Sequence, residues 1–415
     1  MSAIIPAKIL GLNGQCVNEI QEQTDGSLLI SCRRDRRYNA VDPVTGKTGT
    51  INRYIRRRVW DIPLLQRPCL IEIEQAQVFI GKNERRIEVL DFVDPYSRHT
   101  KRFCQLVSGL CRHISIQTVA RHFGLRWETV KNMDKAYLLA TLPALRPEEL
   151  SDLRWIGVDE VARAKGHDYM TVVYNLVSGE LIWVHEGRTA DTLSMFLHAL
   201  PQETAAGIEA VAMDMGPAYQ KAVREQLPNA DIVFDRFHVM QNYSDVIRNQ
   251  RRIEFRRAAS NKEQRELIKG SLYLLLKNPD KLNDQQEQRL QSLRDANENL
   301  NLVYTLKEQL QSLWVNPSSF EDMAGELEAW CQMADASGLH YLRKFAKSLR
   351  RHAEGISNYA RFPLTTARVE AGNVAIGMIR KRARGIRDTE YFKLKIRQIS
   401  IPDIPSMFYK SAGLH

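Results

Sequence analysis

Two apolar runs that each end on an aspartate constrain this chain most. Trp155-Ile156-Gly157-Val158-Asp159 and Ala210-Val211-Ala212-Met213-Asp214 both read as buried strands. A charge closing a core strand needs a physical reason, because ionised side chains are seldom buried without a partner. A third acid, Glu370, opens a helix-like stretch over 369–380. Three carboxylates gathered at one sheet edge repel each other unless a divalent cation sits between them. Asp159, Asp214 and Glu370 thus stand where a metal-dependent phosphoryl-transfer site needs acids. Taken singly, each has a plainer reading: strand-end aspartates often cap helices, and Glu370 fits an ordinary first helical turn. The conjunction favours the metal site.

At 415 residues the chain is expected to hold two to four domains. An apolar fraction of 44% is enough for real cores. The net charge of +10 points to a polyanionic partner such as nucleic acid, although many basic proteins bind no polyanion. The six cysteines show no CxxC pairing, which fits free thiols in a reducing compartment better than a disulfide framework. The apolar start, 4–10, is too short for a signal peptide and is interrupted by Lys8. No apolar run approaches the roughly 20 residues needed to span a bilayer. A soluble, cytoplasmic, nucleoid-associated protein with no membrane partner is expected.

Residues 1–100 read as short strands, at 27–31 and 70–74, with turns between them. Two basic clusters punctuate this part, 33–37 and the run containing Arg56, Arg57 and Arg58. One such cluster is usually a solvated face; two in a small β-rich module favour phosphate contact. From 102 to 145 the pattern turns helical. Ala120 supplies the small residue where two helices cross, and Gly124, four residues on, the left-handed turn of a helix-turn-helix. Val119, Phe123, Leu125 and Val130 form the expected shared core. The second helix presents Arg126, Trp127, Thr129 and Lys131 near its start, the part that reaches base edges in a major groove. An ordinary αα-hairpin is the plainer alternative.

After a Leu- and Pro-rich connector come strands at 154–159, 169–177 and 180–186, a helix at 191–200, strand 208–214, helix 218–227 and strand 231–234. That is the order of a ribonuclease H-like α/β domain, in which the first and fourth strands are neighbours. The texture from 237 to 359 is helical, polar and charged, and it precedes the last helix the sheet requires, at 366–380. It is therefore read as an all-helical insertion.

The chain resembles the DDE transposases of bacterial insertion sequences, of the ISL-three type. The matching elements are 156–160 with 166–169, 212–215, 233–238, 365–373 and the basic run 380–385, together with 9–12 and 60–63. The resemblance implies cleavage at the ends of an element and joining of the freed 3′-hydroxyls to target DNA. It implies Mg²⁺ or Mn²⁺, two ions per site, held by Asp159, Asp214 and Glu370. It implies terminal inverted repeats and target DNA as partners, and a homodimer or higher oligomer on DNA. Asp235 and His238 match an Asp-x-x-His element found after the fifth strand, with either an accessory or a structural role. Glu160 points to the other strand face and is not expected to bind metal. Arg380, Lys381, Arg382 and Arg384 either grip phosphates or form a solvated helix end.

Members of the family usually carry a zinc-binding cysteine cluster near the N-terminus. Here the matching places hold Cys32 with Asp35, and Gly81 with Glu84, so a degenerate zinc-ribbon-like module without structural zinc is expected. The expected domains are this β-rich module (1–100), a helix-turn-helix (101–148), the catalytic domain (149–236 and 361–400), the insertion (237–360) and a tail (401–415). Two other readings share parts of this pattern, a metal-dependent structure-specific nuclease and a catalytically idle DNA-binding regulator. The helix-turn-helix argues against the first and the acid triad against the second.

Overall fold

The computed structural model describes residues 7–80, 84–164, 168–364, 367–383 and 386–401. They form two compact units, one of 7–143 with 390–401, the other of 144–389.

In the first unit, strands β1 (Gln15–Glu22), β2 (Leu28–Arg34), β3 (Ile51–Leu64), β4 (Arg67–Ile80) and β5 (Glu84–Ile87) make one sheet. Its order is β1-β2-β4-β3, with β5 also on β4. β3 and β4 form a long hairpin across Leu65 and Gln66, both at positive φ (50° and 64°), as a tight primed turn requires. Ile30, Cys32, Val59, Cys69, Ile71 and Ile73 fill a core beneath the sheet. Three helices follow, α1 (Lys101–His113), α2 (Ile116–Phe123) and α3 (Trp127–Thr141). Ser115 caps α2 by accepting from the Thr118 amide, and Gly124 ends it at φ 64°. Val119, Ala120 and Val130 are buried together, with Phe123 and Leu125 against them, as the helix-turn-helix reading expects. Asp61 of β3 is buried and accepts from Thr100 Oγ1 at 2.6 Å and Arg102 Nε at 2.7 Å, which ties the sheet to α1.

The second unit holds a five-stranded sheet of β6 (Trp155–Ala164), β7 (Asp168–Asn175), β8 (Leu181–Glu186), β9 (Ala210–Met213) and β10 (Asp231–Phe234). Its order is β10-β9-β6-β7-β8. The β6-β7-β8 pairings are antiparallel, and β9 runs parallel to both β6 and β10. Helices α4 (Ala190–Ala199), α5 (Gln202–Ala206) and α6 (Pro217–Gln226) connect the strands. Then comes a helical stretch of α7 (Arg236–Arg257), α8 (Lys262–Ile268), α9 (Leu272–Leu276), α10 (Asp284–Ala296), α11 (Glu298–Ser312), α12 (Phe320–Ala336), α13 (His340–Arg351) and α14 (Ala353–Ser357). It shares one continuous core with the sheet: Ile156, Val211 and Phe234 belong to the same cluster as Tyr243, Trp330 and Phe345. Helix α15 (Ala367–Ala383) returns to lie on β6.

The last described helix is α16 (Thr389–Ser400), which from Glu390 onward belongs to the first unit. Its apolar side chains Phe392, Leu394 and Ile396 are buried, so the helix needs a core. The local pattern does not reveal which one.

Candidate active site and DNA-binding elements

The parallel pairing of Trp155, Ile156 and Gly157 with Ala210, Val211 and Ala212 decides the geometry of the cleft. Because β6 and β9 run side by side in one direction, the residues that follow the pairing emerge at the same sheet edge. Asp159 and Asp214 therefore line one cleft, with Gly157, Met213, Asp235, His238 and Val369.

Asp159 is the most constrained of the acids. Its Oδ1 accepts from the Glu160 amide at 2.7 Å and its Oδ2 from Asn373 Nδ2 at 2.5 Å. Burial pushes its pKa up to about 6; the Asp214 charge adds to the rise, while the Glu160 amide, His238 and Asn373 oppose it. Asp214 is held by the Gly216 amide at 2.9 Å, in the turn into α6. Asp235 caps α7 by accepting from the Phe237 amide at 3.0 Å, and its other oxygen lies 3.4 Å from His238 Nδ1. The structural role weighed for this pair is thus present, and both residues also face the cleft.

Glu370 enters on α15, which is seated by close packing. A Cβ on Gly157 would lie 3.0 Å from Val369 Cγ2 and 2.8 Å from Leu176 Cδ2, and one on Gly372 would strike the Tyr174 hydroxyl. Glycine at both places lets the helix approach the sheet. Glu370 and Asn373 stand three residues apart and share a helix face. The Asn373 amide on Asp159 therefore brings that face to the aspartates. Among the described residues, no three His, Cys, Asp or Glu side chains converge on one point as a finished cation site. Oxygen donors and a half-buried carboxylate with a raised pKa are nonetheless what a hard divalent cation suits. Glu160 lies 3.6 Å from Arg188 Nη1, and burial raises its pKa, with the Asp214 charge adding to the rise while Arg188 and His238 oppose it.

The residues expected to meet DNA fall into two groups. On the helix-turn-helix, Arg126 and Trp127 are exposed at the start of α3, and Thr129 and Lys131 are half-buried behind them. On β3 the basic run is already engaged within the protein. Arg58 and Glu72 are opposite in register and 3.0 Å apart, and Arg56 faces Glu74 at 3.7 Å. Arg57 donates to Gln75 Oε1 at 2.6 Å and to the carbonyls of Asp94 and Ser97. In the 33–37 cluster, Arg34 is buried against Glu88. Arg380 donates to the Ala162 carbonyl at 2.8 Å and so ties α15 to β6. Lys381 is exposed and Arg382 half-buried, while Arg384 lies outside the described residues.

Comparison with known proteins bears on both parts. A family model described as a transposase, of the ISL3 type, matches residues 156–396. A second, described as the helix-turn-helix domain of transposase family ISL3, matches residues 88–138. The chain belongs to the ISL3 transposase family. It is 37% identical over 346 residues to the transposase for insertion sequence element IS1001 of Bordetella parapertussis, covering 82% of this chain and 84% of that protein. It is 25% identical over 341 residues to the transposase for IS1557 of Mycobacterium tuberculosis, covering 77% and 76%.

In this transposase the N-terminal cysteines serve a core. Cys32 and Cys69 are buried among aliphatic side chains, and burial pushes their thiols up to about 12 and about 11. Asp35 pairs with Arg37 and Glu84 with Arg86, while Gly81 lies outside the described residues. Asn373 is the site residue that sequence reading missed. Its position three residues after Glu370 was the available signal, since that spacing puts it on the same helix face.

Proposed function

We propose that the sheet of the second unit is a ribonuclease H-like catalytic domain interrupted by an all-helical insertion. In this reading it cuts DNA at the terminal inverted repeats of an insertion sequence and joins the ends to target DNA. The observation that carries it is the convergence of Asp159 and Asp214 at one edge of a sheet ordered β10-β9-β6-β7-β8, with α15 bonded to Asp159 through Asn373.

Asp159, Asp214 and Glu370 would hold the divalent cations. Bound there as a pair, Mg²⁺ or Mn²⁺ supply Lewis-acid charge for activating the attacking oxygen and stabilising the leaving one. The chain's own residues prepare the site. Asn373 and the Glu160 amide fix the Asp159 carboxylate, the Gly216 amide fixes Asp214, and Asp235 sets the first turn of α7 beside them. Two displacements at phosphorus follow. A water oxygen first attacks, the P–O bond to the 3′-oxygen breaks, and that oxygen takes up a proton. The freed 3′-hydroxyl then attacks a target phosphate, releases its proton, and displaces a target 3′-oxygen.

The helix-turn-helix would deliver the element's ends, with Arg126 and Trp127 foremost on α3. Lys381 and Arg382, about three turns along α15 from Glu370, would meet phosphate, Arg384 is assigned the same role, and the exposed sides of Arg56 and Arg58 would add contacts elsewhere. Two active sites must act on two ends, so a homodimer or higher oligomer on DNA is the working assembly, in a cytoplasmic, nucleoid-associated setting. A strand-transfer assay with labelled terminal repeats and a supercoiled target tests the reading. Joined products support it. Cleavage without joining indicates a nuclease, and binding without cleavage a regulator.

A further inference from the structure

Helix α13 divides sharply into two sides. At 3.6 residues per turn, His340, Arg343, Lys344, Lys347 and Arg351 fall within an arc of about 100°. Leu342, Phe345, Ala346 and Leu349 lie opposite and are buried. Phe345 meets the rings of Tyr243 and Trp330 at 5.3 and 5.8 Å, so the helix rests on the rigid core.

A basic stripe is commonly neutralised by acids on neighbouring helices. On α13 that happens at the margin of the arc, where Arg350 bridges Glu328 and Asp335 of α12 at 2.8 and 2.6 Å. Arg343, Lys344, Lys347 and Arg351 are exposed and make no ion pair or side-chain hydrogen bond among the described residues. They stand three and four apart, so they repel one another along the helix. Among the described residues, no ion pair offsets that repulsion.

The stripe also starts next to the cleft. Arg351 is followed by His352, whose ring meets Phe234 edge-on at 5.2 Å. Phe234 ends β10, and the next residue is Asp235, which lines the cleft. Asn358 Nδ2 donates to the Ile232 carbonyl at 3.0 Å and secures the same junction. From Arg351 to Arg343 the helix rises about 12 Å, and each strand of B-DNA carries a phosphate per roughly 3.4 Å of duplex axis, so several phosphates fall within that length.

We propose that α13 is a duplex-binding face, on which Arg343, Lys344, Lys347 and Arg351 contact successive phosphates of the DNA that runs to the Asp159–Asp214 cleft. This rests on the reading that the protein cuts and joins DNA, and adds the surface that holds the duplex beside the chemistry. The contacts are to backbone, so they fix position and carry no base preference.

The test uses the full chain carrying Arg343→Gln, Lys344→Gln, Lys347→Gln and Arg351→Gln together. Binding is measured by anisotropy to a duplex ending in the terminal repeat and to a scrambled duplex, from 50 to 200 mM salt. Both affinities should fall by the same factor, at least about tenfold at the low-salt end. The slope of log affinity against log salt should shrink by roughly 3 to 4, near 0.9 per lost phosphate contact. The double variant Lys344→Gln/Lys347→Gln should lose about half of that, and Arg350→Gln almost none. An unchanged slope in a variant with wild-type melting overturns the proposal. So does a change confined to the oligomeric state without DNA, which would make α13 a protein interface. If the unmodified protein binds neither duplex, the broader DNA reading fails first and separately.

Discussion

Lys395 Nζ lies 3.0 Å from Asp134 Oδ2, joining α16 to α3 across most of the chain's length. Both side chains are buried, and Ser108 and Tyr391 also donate to the Asp134 carboxylate. The ion pair fastens α16 behind the helix-turn-helix, so the DNA-binding fold is completed by a segment that follows α15.

Lys395→Met should therefore destabilise the first unit by about 3 kcal/mol, because it removes the cation that compensates a buried carboxylate. The double change Lys395→Met/Asp134→Leu should recover much of that loss. Chemical denaturation of the full chain reads both. A Lys395→Met protein that unfolds at the wild-type midpoint would show the pair to be dispensable.

What the sequence disclosed follows from how locally each feature is encoded. The strands and helices between Trp155 and Phe234 announce themselves through apolar runs of the right length, and Asp159 and Asp214 stand at their ends. The turn of the helix-turn-helix is one glycine at φ 64°. β3 was hidden because Arg53, Arg56, Arg57 and Arg58 do not read as strand, and Leu65-Gln66 carries none of the usual turn signals. Its arginines are explained by cross-strand partners on β4, Glu72, Glu74, Gln75 and Gln77, which lie on a different run. The same holds for α16 and for Asn373: each takes its meaning from a partner far away in sequence.

Arg126 is exposed at the N-terminal end of α3 and caps nothing with its side chain. Arg126→Ala should weaken binding to the terminal repeat by roughly 1–3 kcal/mol and reduce discrimination, if it reads a base. A matching fall on scrambled duplex, with a shallower salt slope, would assign it to phosphate instead. Anisotropy titrations separate these, and unchanged binding would remove it from the interface.

The purified protein should hold no stoichiometric zinc. Zinc binds thiolate, and burial raises the Cys32 and Cys69 thiols far above neutral pH. Asp35 and Glu84 are already paired with arginines. Elemental analysis finding one tightly held zinc per chain would overturn this.

Asn373 positions Asp159 and does not itself need to touch DNA. Asn373→Ala should raise the Mn²⁺ concentration needed for half-maximal cleavage by roughly 10–100-fold, the usual effect of losing a partner that orients a ligand. Asn373→Ser, which keeps a short donor, should recover part of it. Calorimetric Mn²⁺ titration of the uncleaved complex gives a second readout independent of turnover. Equal metal affinity in wild type and Asn373→Ala would mean the contact only packs α15.

Asp159→Asn, Asp214→Asn and Glu370→Gln should each abolish cleavage and strand transfer and leave DNA binding intact. Each swap is nearly isosteric and removes a charge that, in the proposed function, would hold cations. For Asp159 the effect on stability has a defined sign. Its pKa is about 6 in the folded protein against 3.8 for an ordinary aspartate. Between those values the folded state keeps a proton that the unfolded state has lost, so stability falls as pH rises from about 4 to about 6. Above that window the ionised carboxylate costs the metal-free protein about 3 kcal/mol. Asp159→Asn has no such penalty. Melted in chelator, it should match the wild type near pH 4 and exceed it at pH 7.5, and Mg²⁺ should narrow the gap by stabilising the wild type alone. A purely structural Asp159 would behave oppositely, losing stability on neutralisation while keeping activity. Cleavage at near wild-type rate by any of the three variants in Mg²⁺ would remove that acid from the catalytic set.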